Sequence, residues 1–262
     1  MESSDFASCE IRGPGPANSG LGNQLFCIAT TLAYAKKYNK VATFPQITDQ
    51  VNYNKYNKVF YFNLSKVFVE NFEHYYKDPK FSFSEIPYFS NNVCLGGYFQ
   101  SENYFKESRQ EILDILNIDK IQKIFKKKYD IQDNICSLHV RRGDYLNLSH
   151  YHLNLTIDYY KQSIEHMGRD REYLIFSDDI EWCKKEFNFL KNVSFSESRQ
   201  DWQDLILMSI CKDNIVANSS FSWWGAWLNQ NPKSIKIAPK KWFTNGNKND
   251  IIDLIPNEWS KF

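Results

Sequence analysis

The sequence predicts an α/β fold in which parallel sheets are covered by helices. Three observations support this prediction. Short apolar runs alternate with stretches of helical periodicity in the second half of the chain, a glycine-rich loop joins an apolar run to a helix near the N-terminus, and polar side chains directly follow several apolar runs. Strands that alternate with helices form right-handed βαβ units, so the second half is predicted to be Rossmann-like.

The elements of the second half follow from apolar runs too short for helices and from stretches with apolar residues three and four apart. The expected strands are 135–140, 173–176, 193–195, 214–217 and 234–238, and the expected helices are 156–167, 180–187, 202–211 and 223–228. Gly168 is expected to end the first of these helices. Trp223, Trp224 and Trp227 fall at helical spacing, which is typical of core packing and leaves a sugar-stacking surface as the alternative.

The first half begins with the same order of elements. They are a strand at 7–12, a helix at 24–38 and a strand at 41–44. The loop before the helix contains Gly20 and Gly22, which allow a tight turn and bring backbone N–H groups close to a ligand at the helix N-terminus. A purely structural turn is the alternative. The stretch 52–105, rich in Tyr, Phe and Asn, has no pattern that orders its elements.

A domain boundary is predicted in the segment 120–134, where a basic run meets turn-forming residues. The prediction is an N-terminal Rossmann-like, acceptor-side domain at 1–132 and a C-terminal one at 133–262. A solvated helix end is the alternative for this segment. The length of 262 residues suits two small domains or a large one.

Composition and charge exclude several classes of protein. Lys+Arg 32 against Asp+Glu 31 leaves a net charge of +1, without the basic excess of nucleic-acid-binding proteins. No apolar stretch reaches the ~18 residues of a membrane span, and the first residues lack the pattern of a secretory signal. We therefore expect a cytoplasmic protein with no membrane span and no nucleic-acid partner. Its six cysteines, without a C-x-x-C pair, are expected to be reduced and buried.

Polar clusters follow three expected strands at their carboxyl ends, where parallel sheets bind ligands. These clusters are Arg141 to Asp144, Ser177 to Asp179 and Asn218 to Ser220. Adjacent arginines are costly to desolvate without an anion, and a diphosphate offers both of them bidentate, charge-assisted hydrogen bonds. The alternative is an internal salt bridge from Arg141 or Arg142 to Asp144 or Asp178.

The other two clusters allow more than one interpretation. Ser219 and Ser220 precede an aromatic helix, whose N-terminus favours a phosphate, although a plain helix cap is the alternative. Asp178 and Asp179 suit a helix cap or two N–H donors of a nucleobase edge, and a metal role competes with both. No Asp-x-Asp occurs in the chain and the arginines already supply positive charge, so metal independence is predicted.

Five segments, in chain order, carry a resemblance to a known family. They are GLGNQLF (20–26), GYFQSENYF (97–105), HVRRGDY (139–145), FSDD with a following tryptophan (176–182) and ANSSFSWWGAWL (217–228). On these residues the chain resembles the α1,2-fucosyltransferases. The resemblance implies a GT-B-type fold, with two Rossmann-like domains facing each other across a cleft. It also implies transfer of L-fucose from GDP-fucose to a glycan acceptor, at O2 of a galactose-type sugar, with inversion and no cofactor or metal.

The resemblance further implies the site residues. Arg141 would hold the β-phosphate, supported by Arg142. The residues that would bind GDP-fucose are His139, Arg142, Asp178, Asp179, Asn218, Ser219, Ser220 and Phe221, with Gly22, Asn23 and Gln24 from the other domain. His139 and one of the two aspartates would meet guanine. Asp144 is our candidate for the general base, and a counter-ion of the arginines is its alternative role.

Three alternatives to this function stay open. The chain could transfer another GDP-linked sugar, act on a polypeptide, or bind glycans without catalysis through its many aromatic residues. The acceptor pocket is expected in variable loops, at 13–18, 52–95 and 145–155.

Overall fold

The structure, a computed structural model, divides into two compact units. It describes residues 5–11, 20–47, 56–129, 131, 134–198, 200–244 and 249–262. One unit comprises Met1–Ile121 and Asp250–Pro256, and the other comprises Gln122–Asn249 and Asn257–Phe262. Each unit contains a parallel β-sheet, which confirms the predicted α/β fold class. Arg12, at the end of the first expected strand, and the expected acceptor loop 13–18 lie outside the described residues.

The sheet of the first unit has the strand order β2-β1-β4-β3, and every pair is parallel. Its elements are β1 (Phe6–Cys9), α1 (Leu21–Lys37), β2 (Val41–Ala42), β3 (His74–Lys77), β4 (Val93–Gly96), the 3₁₀ segments Glu102–Tyr104 and Lys106–Ser108, and α2 (Arg109–Ile115). Strands β3 and β4 lie in the stretch that the sequence pattern could not order. Because β3 is an edge strand whose side chains alternate between half-buried and exposed, it carries no continuous apolar run.

Helix α3 (Ile118–Tyr129) spans the division between the units. The side chain of Gln122 donates to Ser209 Oγ at 2.9 Å and to the backbone oxygen of Leu228 at 3.0 Å, which ties the helix to the second unit from this residue onward. The division therefore falls inside the helix, before the boundary expected at 132–133. The basic run lies in the last turn of α3, with its lysines exposed.

The sheet of the second unit has six parallel strands in the order β10-β9-β8-β5-β6-β7. Its strands are β5 (Ile135–Val140), β6 (Glu172–Ser177), β7 (Val193–Phe195), β8 (Asp213–Ile215), β9 (Lys236–Ala238) and β10 (Ser260–Lys261). Its helices are α4 (Gly143–Asn147), α5 (Ile157–Met167), α6 (Ile180–Glu186), α7 (Asp201–Ile210) and α8 (Ser220–Trp227). The order of elements predicted for this half is confirmed, but the short helix α4 and the last strand, β10, were not predicted.

This strand order places a switch point in the middle of the sheet. The chain runs outward from β5 through β6 to β7, and then returns to β8 on the other side of β5. In doubly wound sheets of this order, the ligand crevice lies outside the carboxyl ends of the two strands at the switch point. The topology therefore predicts a ligand crevice beside the residues that follow β5 and β8.

The core of the second unit is built from the continuous apolar strands and from the aromatic helix. Strand β5 is buried along its whole length, as expected of a central parallel strand. Trp223, Trp224 and Trp227 are at most 5% exposed, which confirms core packing and rejects the sugar-stacking alternative. Gly168, with φ of 102°, ends α5 as predicted.

Two further expectations concern the whole chain. All six cysteines are free and buried, as predicted. Burial raises the pKa of Cys27 to about 12, so this thiol stays protonated at neutral pH. Within the described ranges, no helix combines the length and the apolar character needed to cross a bilayer.

Candidate active site

The polar clusters after β5, β6 and β8 come together at the carboxyl edge of the second sheet. The backbone N–H of Arg142 donates to Asp178 Oδ1 at 2.9 Å, which joins the end of β5 to the end of β6. The hydroxyl of Tyr145 donates to the backbone oxygen of Asn218 at 3.1 Å, which joins the turn after β5 to the loop after β8. The predicted convergence of the three clusters is therefore confirmed.

Arg141 lies at the solvent side of this edge and forms two ion pairs. Its guanidinium contacts Asp144 Oδ1 at 2.6 Å and Asp178 Oδ2 at 2.8 Å, and its side chain is 34% exposed. The internal salt bridge that the sequence left as an alternative is therefore present. Because Asp144 is itself 56% exposed, water screens this pair and it contributes little to stability. Arg141 can exchange such a partner for another anion at small cost.

Arg142 is held more tightly than its neighbour. Its Nε contacts Asp179 Oδ2 at 3.1 Å, its guanidinium carbon lies 4.1 Å from the centre of the Trp182 ring, and its side chain is 19% exposed. Asp179 also accepts the backbone N–H of Trp182 at 3.2 Å and so caps α6. Both oxygens of this carboxylate are therefore engaged, and the helix-cap interpretation is confirmed for Asp179.

The turn between the arginines and α4 depends on a glycine. A Cβ atom added to Gly143 would lie 2.6 Å from Asp178 Oδ2, too close to be tolerated, so the Asp178 carboxylate would have to move. The absence of a side chain lets the Asp178 carboxylate approach the backbone of the turn. Asp178 thereby reaches the backbone N–H of Arg142 and the guanidinium of Arg141 at the same time.

His139 lies next to the end of β5 and is buried. It is 5% exposed, its ring centre lies 5.6 Å from that of Phe221, and its Nδ1 has no hydrogen-bond partner among the described residues. Burial lowers its pKa to about 3, although the charge of Asp178 opposes the shift. The neutral imidazole therefore has one ring nitrogen whose hydrogen-bonding capacity no described residue uses.

The loop after β8 leads directly into α8. The hydroxyl of Ser219 accepts the backbone N–H of Phe221 at 3.3 Å and caps the helix, whereas Ser220 is its first residue. The side chain of Asn218 donates to the backbone oxygens of Leu153 and Trp242 at 2.7 and 2.8 Å. Asn218 therefore shapes the loop, and the N-terminus of α8 opens next to the switch point with its positive dipole end.

Sequence reasoning missed two aromatic residues that pack against the arginines. Trp182 lies under Arg142, and the ring of Tyr145 lies 5.4 Å from the guanidinium carbon of Arg141. Burial raises the pKa of Tyr145 to about 12, so it keeps the proton it donates to Asn218. The available signal was that both aromatics stand in the motifs HVRRGDY and FSDD with a following tryptophan.

The site residues expected from the first half lie at the start of α1, and the structure describes them within the first unit. Gly22 is buried. Gln24 is 4% exposed, and its Oε1 accepts the hydroxyl of Tyr61 at 2.8 Å. The side-chain oxygen of Asn23 accepts a hydrogen bond from Gln100 Nε2 at 2.8 Å. Both carboxamides are therefore oriented by residues far along the chain.

Metal ligation receives no support from side-chain clustering. No group of three or more His, Cys, Asp or Glu residues that could hold a metal ion occurs within the described part of the chain. The metal independence expected from the sequence stays a prediction.

The low pKa of His139 can be tested directly. We expect its Cε1–H resonance in ¹H NMR, assigned with His139→Gln, to keep the neutral chemical shift from about pH 8 down to about pH 5. The folded-state pKa lies below the unfolded value of about 6.5, so stability from the neutral ring is present above about pH 6.5 and lost as the pH falls towards 3. A titration midpoint near 6.5 would contradict the burial argument.

Comparison with known proteins identifies the family. The model of glycosyl transferase family 11 matches residues 17–261. Two Escherichia coli proteins, the O-antigen biosynthesis glycosyltransferase WbnK and an alpha-1,2-colitosyltransferase, are each 38% identical over 62% of this chain. The matches cover 59% and 60% of those proteins, so this chain spans less than two thirds of their length.

A third relative and a solved structure extend the comparison. The putative galactoside 2-alpha-L-fucosyltransferase svh-11 of Caenorhabditis elegans is 25% identical, over 93% of this chain and 76% of that protein. The crystal structure of POFUT1 in its apo form has a TM-score of 0.51 at 10% identity and covers 91% of this chain and 98% of that one, which supports the GT-B-type fold class. Since the family model matches almost the whole sequence, the chain belongs to glycosyl transferase family 11, a family of enzymes.

Proposed function

We propose that the chain transfers L-fucose from GDP-fucose to a hydroxyl of a glycan, with inversion at the anomeric carbon and without a metal ion. The observation that carries this proposal is the position of Arg141. It stands at the end of β5 beside the switch point, its charge balanced only by partly exposed carboxylates. A polar edge of this kind suits the diphosphate of an activated sugar.

In this proposal Arg142 has a structural role and Arg141 binds the phosphate. Arg142 is fixed by Asp179 and Trp182, so it supports the architecture of the edge. Arg141 is the more exposed of the two and is free to bind the β-phosphate with its planar guanidinium. The N-terminus of α8, with Ser219, Ser220 and Phe221, lies along the same diphosphate and faces it with the positive end of the helix dipole.

The nucleotide base is assigned to His139 and Asp178, beside the proposed diphosphate site. His139 offers a buried, neutral ring nitrogen, and Asp178 offers a carboxylate that accepts N–H donors. Guanine carries both kinds of group on its edge, so these side chains suit it. Asp179 and Asn218 hold the surrounding loops through the contacts described above and take part indirectly. Gly22, Asn23 and Gln24 are the proposed contacts to the sugar from the first unit.

The proposed reaction is a direct displacement. The acceptor hydroxyl attacks the anomeric carbon, the bond from that carbon to the β-phosphate oxygen breaks, and GDP leaves with the negative charge. Arg141 stabilises that charge as it develops, which is the main catalytic contribution. When Arg141 turns to the phosphate it releases Asp144, and the freed carboxylate is the proposed base that accepts the proton of the attacking hydroxyl.

Transfer to O2 of a galactose-type sugar is supported by the name of the Caenorhabditis elegans relative. The cytoplasmic location expected from the sequence stays a prediction.

A second donor is favoured by one specific observation. The alpha-1,2-colitosyltransferase is 38% identical to this chain over 175 residues, a higher identity than that of the fucosyltransferase relative. Colitose lacks one hydroxyl of fucose. A site that hydrogen-bonds this hydroxyl rejects the sugar that lacks it by about 10⁴-fold, whereas an apolar pocket discriminates far less.

Arg141→Lys tests the phosphate role. We expect kcat/KM for the GDP-sugar to fall by about 100-fold, because an ammonium group cannot reproduce the planar, bidentate contact. Arg169→Lys is the matched control, since Arg169 pairs with Glu165 on the exposed surface of the same unit. Equal kcat/KM in the two variants would refute the assignment of Arg141.

Asp144→Asn separates the two roles of that carboxylate in the same assay. Loss of the pair with Arg141 changes the affinity for GDP whichever role Asp144 has, because that pair is present in the structure. A general base also predicts a fall in kcat of about 100-fold, whereas a counter-ion alone predicts a nearly unchanged kcat.

The donor is decided by measuring release of nucleotide and transfer of sugar from GDP-fucose, GDP-colitose, GDP-mannose and UDP-galactose, with EDTA present. We expect transfer from GDP-fucose, with or without GDP-colitose, and none from the other two. Preference for GDP-colitose over GDP-fucose would replace the proposed donor, and loss of transfer in EDTA that returns with Mg²⁺ or Mn²⁺ would refute metal independence.

A further inference from the structure

The segment Gly97 to Phe105 matches the family motif, but the proposed function does not use it. It follows β4 and passes very close to the neighbouring strand. A Cβ atom on Gly97 would lie 2.5 Å from Asp78 Cβ. The thiol of Cys27 donates a hydrogen bond to the backbone oxygen of Gly97, with 3.4 Å between sulfur and oxygen. The segment is therefore fixed at its start against both the end of β3 and helix α1.

Phe99 adopts a backbone conformation that bulky residues avoid. Its φ is +51°, in the left-handed region, and its side chain is fully buried with its ring centre 5.3 Å from that of Tyr104. Such a conformation persists only where the surroundings fix it, and it is found preferentially at functional sites. Its effect here is to redirect the chain immediately before Gln100.

Gln100 is held on both sides and reaches helix α1. It is 6% exposed, and the next residue, Ser101, is fully buried with its hydroxyl donating to the backbone oxygen of Asp253 at 3.1 Å. The side chain of Gln100 donates from Nε2 to Asn23 Oδ1 at 2.8 Å. This contact connects the 97–105 segment to the glycine-rich loop motif at the start of α1.

The contact determines which face the Asn23 carboxamide presents. A carboxamide has one oxygen that accepts and one nitrogen that donates twice. Gln100 occupies the oxygen, whereas the Nδ2 group of Asn23, which is half-buried, has no hydrogen-bond partner among the residues described. Asn23 therefore presents two N–H donors in a fixed orientation.

We propose that Gln100 is a positioning residue for sugar binding: it orients Asn23 so that Nδ2 donates hydrogen bonds to oxygen atoms of the transferred sugar. This inference rests on the proposed function, in which Asn23 contacts the sugar. In this role Gln100 does not contact the sugar. It acts through the carboxamide of Asn23, and the left-handed backbone at Phe99 places it there.

Gln100→Glu is the decisive variant, because it preserves size and reverses the hydrogen bond. An ionised carboxylate repels Asn23 Oδ1 and attracts Nδ2, which would flip the carboxamide. We expect kcat/KM for the donor sugar to fall by about 30-fold at about pH 8, with the affinity for GDP within about twofold of wild type. When the carboxyl is protonated it can donate again, so the ratio of variant to wild-type kcat/KM should rise as the pH falls to about 5.5.

Two further variants separate positioning from folding. Gln100→Met has a similar size and no donor, so its kcat/KM should fall while its ratio to wild type stays constant with pH. Gln110→Glu is the matched control, since Gln110 also donates to a side-chain oxygen, that of Asp114 at 3.0 Å, but on the exposed surface of α2. Its kcat/KM should stay within about twofold of wild type, and Tm is measured for every variant.

The outcomes are distinct. A loss of kcat/KM in Gln100→Glu that recovers at low pH, at unchanged Tm and GDP affinity, supports the positioning role. Wild-type kcat/KM in both Gln100 variants overturns it and leaves the proposed function intact. A loss matched by a lower Tm in both variants, with no recovery at low pH, also overturns it, because a structural role then suffices. Absence of sugar transfer by the wild-type enzyme overturns the proposed function and the positioning role together.

Discussion

The carboxyl edge of the second sheet depends on one electrostatic arrangement, in which Asp178 bridges two consecutive arginines. Its one oxygen accepts the backbone N–H of Arg142 and its other oxygen contacts the guanidinium of Arg141. Gly143 is required because a side chain there would displace this carboxylate. Asp178 thereby fixes the backbone at Arg142 and balances the charge of Arg141, whereas the charge of Arg142 is balanced by Asp179.

The same arrangement explains why the adjacent arginines differ in their proposed roles. The Arg142 side chain is enclosed by an aromatic ring and a helix cap, and moving it would disturb α6. The Arg141 side chain is 34% exposed and its pair with Asp144, which is 56% exposed, is weak, so an incoming diphosphate replaces this partner with a stronger one. In such a site Arg142 stays fixed, whereas Arg141 exchanges its carboxylate partner for the phosphate of the substrate.

Much of this could be predicted from the sequence, because the relevant physics is local. Strands such as 135–140 are continuous apolar runs, and the end of a parallel strand is where ligands bind, so the position of HVRRGDY at the sheet edge follows from its sequence context. The contacts of Asp178 and Asp179 could not be resolved in this way. Spacing allows a helix cap, an ion pair or a nucleobase contact equally, and only tertiary geometry shows that Asp179 serves the first two.

The first unit was harder to predict for physical reasons. Its edge strand β3 is half-exposed, so its sequence lacks the apolar run that predicts a strand. The left-handed backbone at Phe99 could not be predicted, because bulky residues rarely adopt it. The partnership of Gln100 with Asn23 joins residues 77 positions apart, so no local pattern encodes it. The motif GYFQSENYF was visible in the sequence, but its use became apparent only from this contact.

The central claim is that Arg141 meets the β-phosphate of the donor, and calorimetric titration tests it most directly. GDP and GMP differ by that phosphate alone, so the ratio of their Kd values isolates its contribution in wild type and in Arg141→Ala. The account predicts that wild type binds GDP at least about 30-fold more tightly than GMP and that the variant loses most of this preference. An unchanged ratio in the variant would contradict the account, because the phosphate would then be held elsewhere.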